Sequence, residues 1–273
     1  MTVINTNIKS LITQTALNRN SRDLGTAMKQ LSTGKRINSA ADDAAGLAIT
    51  NKMTAQIRGL DQAVRNAMDG ISMMQTAEGA TIEITNMLQR MRELAVQGAN
   101  GTNSSVNTGS LQKEFSELQK EITRIADNTE WNGMKVLGAD GKTYTMQIGA
   151  NDGQVLSVDF KDLTSAVSDI SAAVDTSLVV TGSSTLTKMD SAIAAIDDFR
   201  SDLGAKINRL EHTVDNLTNI SNNTSESRSR ILDTDYAKAS SELSRTQIIQ
   251  QAATAVLAQA NTDQQSVLKL LQG

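Results

Sequence analysis

The chain has 273 residues with a formal net charge of −4, and it contains neither cysteine nor proline. The lack of cysteine excludes disulfides, thiolate metal sites and cysteine nucleophiles, whereas the lack of proline permits very long helices, since proline interrupts a helix interior at a cost of about 3 kcal/mol. Charge is unevenly distributed: residues 1–41 carry +5 and residues 236–273 carry +1, which leaves −10 for the residues between them.

The N-terminal segment is predicted to form one helix with a narrow apolar stripe. Its apolar residues recur at helical spacing with one stutter, and they include Ile4, Ile8, Leu11, Leu24 and Leu31. The helix is expected to end at Gly34, because glycine suits a helix C-terminus. Beyond it, Ser39 and Asp42 resemble a capping box that starts the next helix.

The next helix is predicted to run from about residue 42 to residue 98, a length of roughly 85 Å at 1.5 Å per residue. Its apolar residues repeat with alternating spacings of four and three from Met53 to Met74, and the repeat resumes at Ile84. Residues 98–109 read as a polar loop because they are rich in glycine, asparagine, serine and threonine. A shorter helix follows, with apolar residues from Leu111 to Ile125.

Residues 131–184 are predicted to hold the non-helical part of the chain. Asn132-Gly133 signals a tight turn, and residues 144–148 and 155–160 are short β-like runs joined by a glycine-rich loop. This pattern predicts a small β-hairpin region at about residues 131–184.

Two further helices complete the chain. The first carries a long heptad pattern from Leu186 to Ile231. The last has a broad apolar stripe that includes Ile249, Val256, Leu257, Val267, Leu270 and Leu271. The predicted fold is therefore mainly α, with long coiled-coil-like helices, a small β-hairpin region, a rod shape and paired N- and C-terminal helices.

The terminal helices indicate a protein that assembles. A helix with one apolar stripe needs a partner to cover it, and the two chain ends can pair with each other. The C-terminal stripe is too broad for one partner helix, and the helices of the middle already have partners in each other. The pattern therefore favours polymerisation through the terminal helices over docking of the ends on the middle of the same chain.

No pattern in the sequence indicates catalysis, a cofactor or a metal site. His212 is the only histidine and lies off the apolar stripe of its helix, which predicts an exposed residue without a chemical role. The basic N-terminus lacks the aromatic residues and arginine clusters of nucleic-acid-binding proteins. No window approaches the 18 apolar residues of a membrane span, and no secretory signal peptide is visible.

Several separated blocks of the sequence, in order, resemble bacterial flagellin, the filament subunit of the flagellum. The most recognisable is Gly34 to Gly46, which reads GKRINSAADDAAG. Others are Ile4 to Asn7, Leu88 to Gln97 and Asn132 to Leu137, and near the C-terminus Ser229 to Ala237 and Val256 to Asn261. The resemblance covers roughly residues 1–150 and 185–273.

The resemblance implies a domain organisation and a location. Residues 1–41 and 234–273 would form the terminal coiled-coil domain of the filament core, and residues 42–233 would form a rod domain. The chain resembles a short flagellin without the variable outer domains of longer members. It would reach the extracellular filament through the flagellar type III channel, without a cleavable signal peptide. Its implied partners are copies of itself, an export chaperone, the filament cap and the hook-junction proteins.

The resemblance also implies a recognition surface and leaves two other functions open. Five residues match those of flagellins recognised by the host receptor Toll-like receptor 5: Gln89, Arg90, Leu94, Gln97 and Glu114. These residues would otherwise serve packing between subunits. One alternative function is a hook–filament junction protein, which would form a limited ring. The other is a cell-surface adhesin or glycan-binding protein, which the small number of aromatic residues argues against.

Overall fold

The computed structural model describes residues 6–138, 142–160, 168–175, 178–182 and 184–272, without the side chains of residues 168–169 and 263–272. The chain forms two compact units: Met1–Ala55 with Asn223–Gly273, and Gln56–Asn222. We call them the terminal unit and the central unit. The sequence predicts a filament-core domain at residues 1–41 and 234–273 and a rod domain at residues 42–233. This division stays a prediction, because the compactness of a unit does not test which residues form the filament core.

The described residues confirm a mainly α fold built from long helices and short antiparallel strand pairs. The helices are α1 (Ile8–Thr33), α2 (Ala44–Gly98), α3 (Ser105–Asn128), α4 (Ser168–Val174), α5 (Thr185–Leu232) and α6 (Tyr236–Gln272). The strands are β1 (Glu130–Trp131), β2 (Met134–Lys135), β3 (Thr143–Gln147) and β4 (Val155–Asp159). α2 and α5 run for 55 and 48 residues without a break.

In the terminal unit, α1 packs antiparallel along α6, as the sequence predicts. Asn7 caps the N-terminus of α1, since its side-chain oxygen accepts a hydrogen bond from the backbone N–H of Ser10. The helix ends at Gly34, which adopts a left-handed conformation with φ of 68° and donates its N–H to the carbonyl of Gln30. The predicted end of this helix is confirmed, and glycine is the residue that adopts this conformation without steric cost.

The capping box predicted from Ser39 and Asp42 is wrong as a helix start. The Asp42 carboxylate does accept hydrogen bonds from the backbone N–H groups of Asn38 and Ser39, at 3.0 and 2.8 Å. Those bonds close a turn that precedes the helix. α2 begins two residues later, where Asp43 accepts from the N–H of Gly46 at 2.9 Å. Asp43 is therefore the N-cap, and Asp42 stabilises the turn before it.

The polar loop predicted at residues 98–109 is shorter than expected. Ser104 caps α3 by accepting a hydrogen bond from the N–H of Asn107, so Ser105 to Gly109 are helical in spite of their composition. The connection consists of residues 99–104. Within it, the Asn103 amide donates to the carbonyl of Gln97 near the end of α2, which satisfies one of the free carbonyls at that end.

The central unit holds the large hydrophobic core. Its biggest fully buried side chains come from α2, α3, α4, α5 and the hairpin region, and they include Met74, Leu88, Met91, Phe115, Ile122, Phe160, Ile170 and Met189. The β3–β4 hairpin lies on α2, where the Asn66 amide donates to the carbonyl of Gln147 at 3.1 Å. A Cβ atom on Gly70 would lie 2.2 Å from the sulfur of Met146. Gly70 thus permits the close approach of the hairpin to the helix.

Residues 131–184 contain the predicted hairpins but are not wholly non-helical. Asn132 and Gly133 both have positive φ, 49° and 74°, and form the two-residue turn between β1 and β2. β3 pairs antiparallel with β4 over five residues each. The sequence missed α4, which follows within this region. Because α4 is only seven residues long, it offers too little periodicity to be recognised, and tertiary contacts such as burial of Ala173 fix it.

Candidate functional site

The contact between α1 and α6 is lined by small and polar residues, with half-buried leucines between them. Those fully buried there are Ser10, Asn20 and Ala27 of α1 and Ala239, Thr246 and Ala260 of α6. Two of the α1 side chains cross the contact to backbone carbonyls of α6. The amide of Asn20 donates to the carbonyl of Thr246 at 2.8 Å, and that of Asn7 donates to the carbonyl of Ala260 at 3.0 Å. We call this contact the seam.

Several large apolar side chains of the two helices lie outside the seam. Ile12 is 64% exposed and Ile248 is 66% exposed. Five others are also exposed: Ile8, Leu11, Met28, Ile249 and Val256. The pairing of α1 with α6 therefore buries small residues and partly buries leucines, but it leaves these seven large apolar groups largely in solvent. Exposed apolar groups gathered on one element mark a surface that another molecule covers.

Several of these residues lie together along a groove between the two helices. The groove has a volume of about 460 Å³. Leu11, Ile12 and Ala16 of α1 line it together with Ile249 of α6, and Arg19, Asp23 and Arg245 line its more charged part. Both helices contribute to this surface, so its shape depends on how one is placed along the other.

The structure divides the predicted assembly residues between two faces. Ile8, Leu11, Ile249 and Val256 are exposed, whereas Leu24, Leu31 and Leu257 are half-buried beside the seam. The single stripe predicted for α1 is therefore wrong, because the inward face repeats regularly as Ser10, Thr13, Leu17, Asn20, Leu24, Ala27 and Leu31. Ile4 and the side chains of Val267, Leu270 and Leu271 lie outside the described residues. Sequence reasoning missed Asn20 and Thr246, since polar residues do not signal a buried seam.

In the central unit, the structure brings Arg90 and Glu114 together. The Nε and Nη2 atoms of Arg90 lie 3.0 and 2.9 Å from Oε1 of Glu114, and its Nη1 atom lies 2.9 Å from Oε2 of Glu93. Hydrogen bonds to Glu93 and then to Glu114 raise the pKa of the Arg90 guanidinium. The two carboxylates thus hold the guanidinium in one orientation across α2 and α3.

The other predicted recognition residues occupy two environments. Gln89 and Gln97 are exposed on α2. Leu94 is only 1% exposed and belongs to the core. As a residue of the recognition surface, Leu94 is a wrong prediction, because its helical position turns it towards the interior of the central unit.

Elsewhere in the described residues, side chains that could take part in catalysis or metal binding do not lie close together. His212 is exposed on α5. Within the part of the chain that the structure describes, no group of three or more His, Asp or Glu residues is placed to hold a metal ion. None of the described helices has a stretch long and apolar enough to cross a membrane.

Comparison with known proteins identifies the family. The bacterial flagellin N-terminal helical region matches residues 4–142, and the bacterial flagellin C-terminal helical region matches residues 186–271. A flagellin of Halalkalibacterium halodurans is 47% identical over 270 residues, which cover 98% of this chain and 99% of the relative. A flagellin of Xenorhabdus nematophila is 44% identical over 309 aligned residues, with the same coverage of 98% and 99%.

Among solved structures, the crystal structure of Bacillus cereus flagellin is 34% identical in sequence, with a TM-score of 0.49, and covers 56% of this chain and 88% of that one. The family assignment rests on the two matched regions and on the relatives that align over nearly the whole chain. The chain therefore belongs to the bacterial flagellins, as a short member: it is a structural subunit of the extracellular flagellar filament, it polymerises with copies of itself, and it is not an enzyme.

Proposed function

We propose that the exposed apolar faces of α1 and α6 are the surfaces through which subunits polymerise. The observation that carries this proposal is the incomplete burial of the terminal pair, in which Ala27, Ala239 and Ala260 are buried while Ile12 and Ile248 stay in solvent. A pair designed only for its own stability would bury the larger groups, since apolar burial is the main favourable term in folding.

The free energy available on assembly is substantial. Fully burying a large aliphatic side chain contributes about 1.5–3 kcal/mol. Seven such side chains on the two helices are between 40% and 66% exposed: Ile8, Leu11, Ile12, Met28, Ile248, Ile249 and Val256. Covering their exposed parts contributes on the order of 5–10 kcal/mol per subunit, and this gain opposes the loss of translational and rotational freedom.

Deleting residues 256–273 tests the proposal. The deletion removes the second half of α6, including Val256 and Leu257, but no residue of the central unit, which spans Gln56–Asn222. The truncated chain should keep a cooperative thermal transition and fail to elongate filament seeds, as followed by sedimentation and electron microscopy. Elongation by the truncated chain at the rate of the full-length protein would refute the proposal. Closed rings formed by the full-length chain would instead indicate a hook–filament junction protein.

A second proposal concerns the surface around Arg90. We infer that Gln89, Arg90, Gln97 and Glu114 are recognised by Toll-like receptor 5. The supporting observation is that Arg90 is exposed and held by two carboxylates across neighbouring helices. A guanidinium fixed in one orientation loses little conformational freedom on binding, and arginine is enriched among residues that dominate interfaces.

The remaining expectations follow from the family and concern export. We propose that the chain travels unfolded through the flagellar type III channel without a cleavable signal peptide, with an export chaperone, and meets the hook-junction and filament cap proteins during assembly. The lack of cysteine, and so of disulfides, suits such a route. N-terminal sequencing of subunits taken from filaments tests the absence of cleavage: a start well inside α1 would contradict it.

A further inference from the structure

The fully buried residues of the seam specify only weakly how far α1 and α6 are shifted along each other. One heptad position of α6 is occupied by Ala239, Thr246, Ala253 and Ala260, all of them small. At this position a slip of seven residues exchanges one small residue for another, so the fully buried residues of α6 favour no single register. The bond from Asn20 is equally permissive, because it ends on a backbone carbonyl, and every heptad of α6 presents a similar one. At the alternate, half-buried position, which holds Leu243, Gln250 and Leu257, the same slip exchanges leucine for glutamine.

The loop that follows α1 and the loop that precedes α6 also contact each other. Unlike the seam, this contact has no equivalent one heptad further along either helix. Lys35 and Asp233 form an isolated antiparallel bridge. The N–H of Thr234 donates to the carbonyl of Gly34 at 3.0 Å, and the N–H of Arg36 donates to the carbonyl of Leu232 at 2.7 Å. We call residues 34–37 and 231–234 the loop clasp. It joins the exit of α1 to the connection between α5 and α6, and all its residues lie in the terminal unit.

The side chain of Arg36 completes the loop clasp. Its Nε and Nη2 atoms donate to the carbonyl of Ile231, at 3.2 and 2.7 Å. Ile231 belongs to the last turn of α5, whose final carbonyls have no partner within the helix. A cation that donates two hydrogen bonds there also interacts favourably with the helix dipole. Arg36 thus caps a helix that lies almost two hundred residues away in the chain.

We propose that the loop clasp, with Arg36 as its positioning residue, sets the register of α1 against α6 and thereby aligns the two halves of the polymerising surface. The inference rests on the proposed role of that surface. The groove combines Leu11, Ile12 and Ala16 of α1 with Ile249 of α6. A slip of one heptad displaces α6 by about 10 Å at 1.5 Å per residue. Ile249 then leaves the α1 residues beside it, and the composite surface is lost.

The register can be read by disulfide cross-linking, because the natural chain has no cysteine. The Asn20–Thr246 and Asn7–Ala260 bonds place Ala27 and Ala239 at one level of the antiparallel pair. Ala27→Cys with Ala239→Cys reports the native register, and Ala27→Cys with Thr246→Cys reports a slip of one heptad. Both pairs are introduced into the full-length chain and into Arg36→Ala, Arg36→Lys and Arg230→Ala backgrounds. Arg230 is the matched control, since it is near the same helix end but pairs with Glu226 within α5.

With Arg36 present, the native pair should form its disulfide at least about ten-fold faster than the slipped pair, which is the ratio expected when the register is well defined. Arg36→Ala should lower that ratio by about five-fold or more and Arg36→Lys by less, because lysine keeps the charge but not the fork of donors. Arg230→Ala should leave it unchanged. A loss of both cross-links in equal proportion would mean that Arg36 only stabilises the pair, and this result or an unchanged ratio overturns the proposal.

Measuring filament growth of the same variants distinguishes a failure of the register proposal from a failure of the proposed polymerising surface. Arg36→Ala should raise the critical concentration for filament growth, whereas Arg230→Ala should not. If Arg36→Ala scrambles the register and the critical concentration stays the same, the register assignment stands and the composite polymerising surface is refuted. Thermal melting of the same variants checks that the central unit, to which neither arginine belongs, is intact.

Discussion

Leu11 gives the most direct measure of how much the outward face of α1 contributes to assembly. The residue is 59% exposed on a helix whose partner covers the other side. Leu11→Ala removes three carbons, worth about 2.4 kcal/mol of burial at about 0.8 kcal/mol each. More than half of that remains to be gained when a neighbouring subunit covers the residue, or about 1.4 kcal/mol, which corresponds to a ten-fold change in an equilibrium constant.

The critical concentration for filament growth should therefore rise about ten-fold in Leu11→Ala. Monomer stability should fall by no more than about 1 kcal/mol, the part of the roughly 2.4 kcal/mol already realised by burial in the monomer, and the high helix propensity of alanine offsets some of this loss. The assay is seeded growth at a series of subunit concentrations, with the unpolymerised fraction measured after sedimentation. Val106→Ala is the control, since Val106 is 76% exposed on α3, outside the terminal helices. A rise of less than two-fold for Leu11→Ala, or an equal rise for Val106→Ala, would refute the argument.

Two further predictions concern single side chains. Arg90→Ala should lower Toll-like receptor 5 signalling by the monomer more than about ten-fold, as expected for an interface arginine that dominates binding, and should leave the far-UV spectrum unchanged. The control is Arg92→Ala, because Arg92 lies on the same helix as Arg90 and forms a comparable ion pair, with Asp190 of α5. Equal signalling by the Arg90 variant and the natural chain would contradict the site. Hydrogen bonds from the N–H groups of Asn38 and Ser39 hold the pKa of Asp42 below its usual 3.8, so the turn it stabilises should be intact above pH 3.8 and loosen as the pH falls through the lowered pKa. An NMR titration of the Asn38 and Ser39 amide protons should show a midpoint below 3.8, and a midpoint at or above that value would contradict the prediction.

Local features of the sequence are sufficient to predict most of the secondary structure. The heptad spacing of apolar residues predicts α2 and α5, and glycine after Thr33 marks the end of α1. Asn132-Gly133 specifies a turn in which both residues have positive φ. Each of these features depends only on residues close together in the sequence, so the local sequence is sufficient to predict it. Where several side chains compete for the same local role the prediction fails, as with Asp42 and Asp43 at the start of α2.

The arrangement of the residues proposed for receptor recognition could be predicted only in part, because they come from two helices. The sequence places Arg90 and Glu114 on either side of a loop, and the packing of α3 against α2 brings the two side chains to 2.9 Å. It does not indicate that Leu94 points inward, since that depends on which face of α2 the core covers.

The sequence by itself determined that both chain ends are helices with more apolar surface than one partner covers, and that the chain has a single histidine and no cysteine for a nucleophilic triad or a transition-metal site. Only the tertiary structure decided which face of each terminal helix is covered. On α1 the covered face holds Ser10, Asn20 and Ala27 together with half-buried leucines, whereas Ile8, Leu11 and Ile12 are left exposed. Small residues let two backbones approach closely, and Asn20 finds a carbonyl partner only when α6 is present. Helical periodicity is a property of one segment, whereas the choice of face is a property of two segments together.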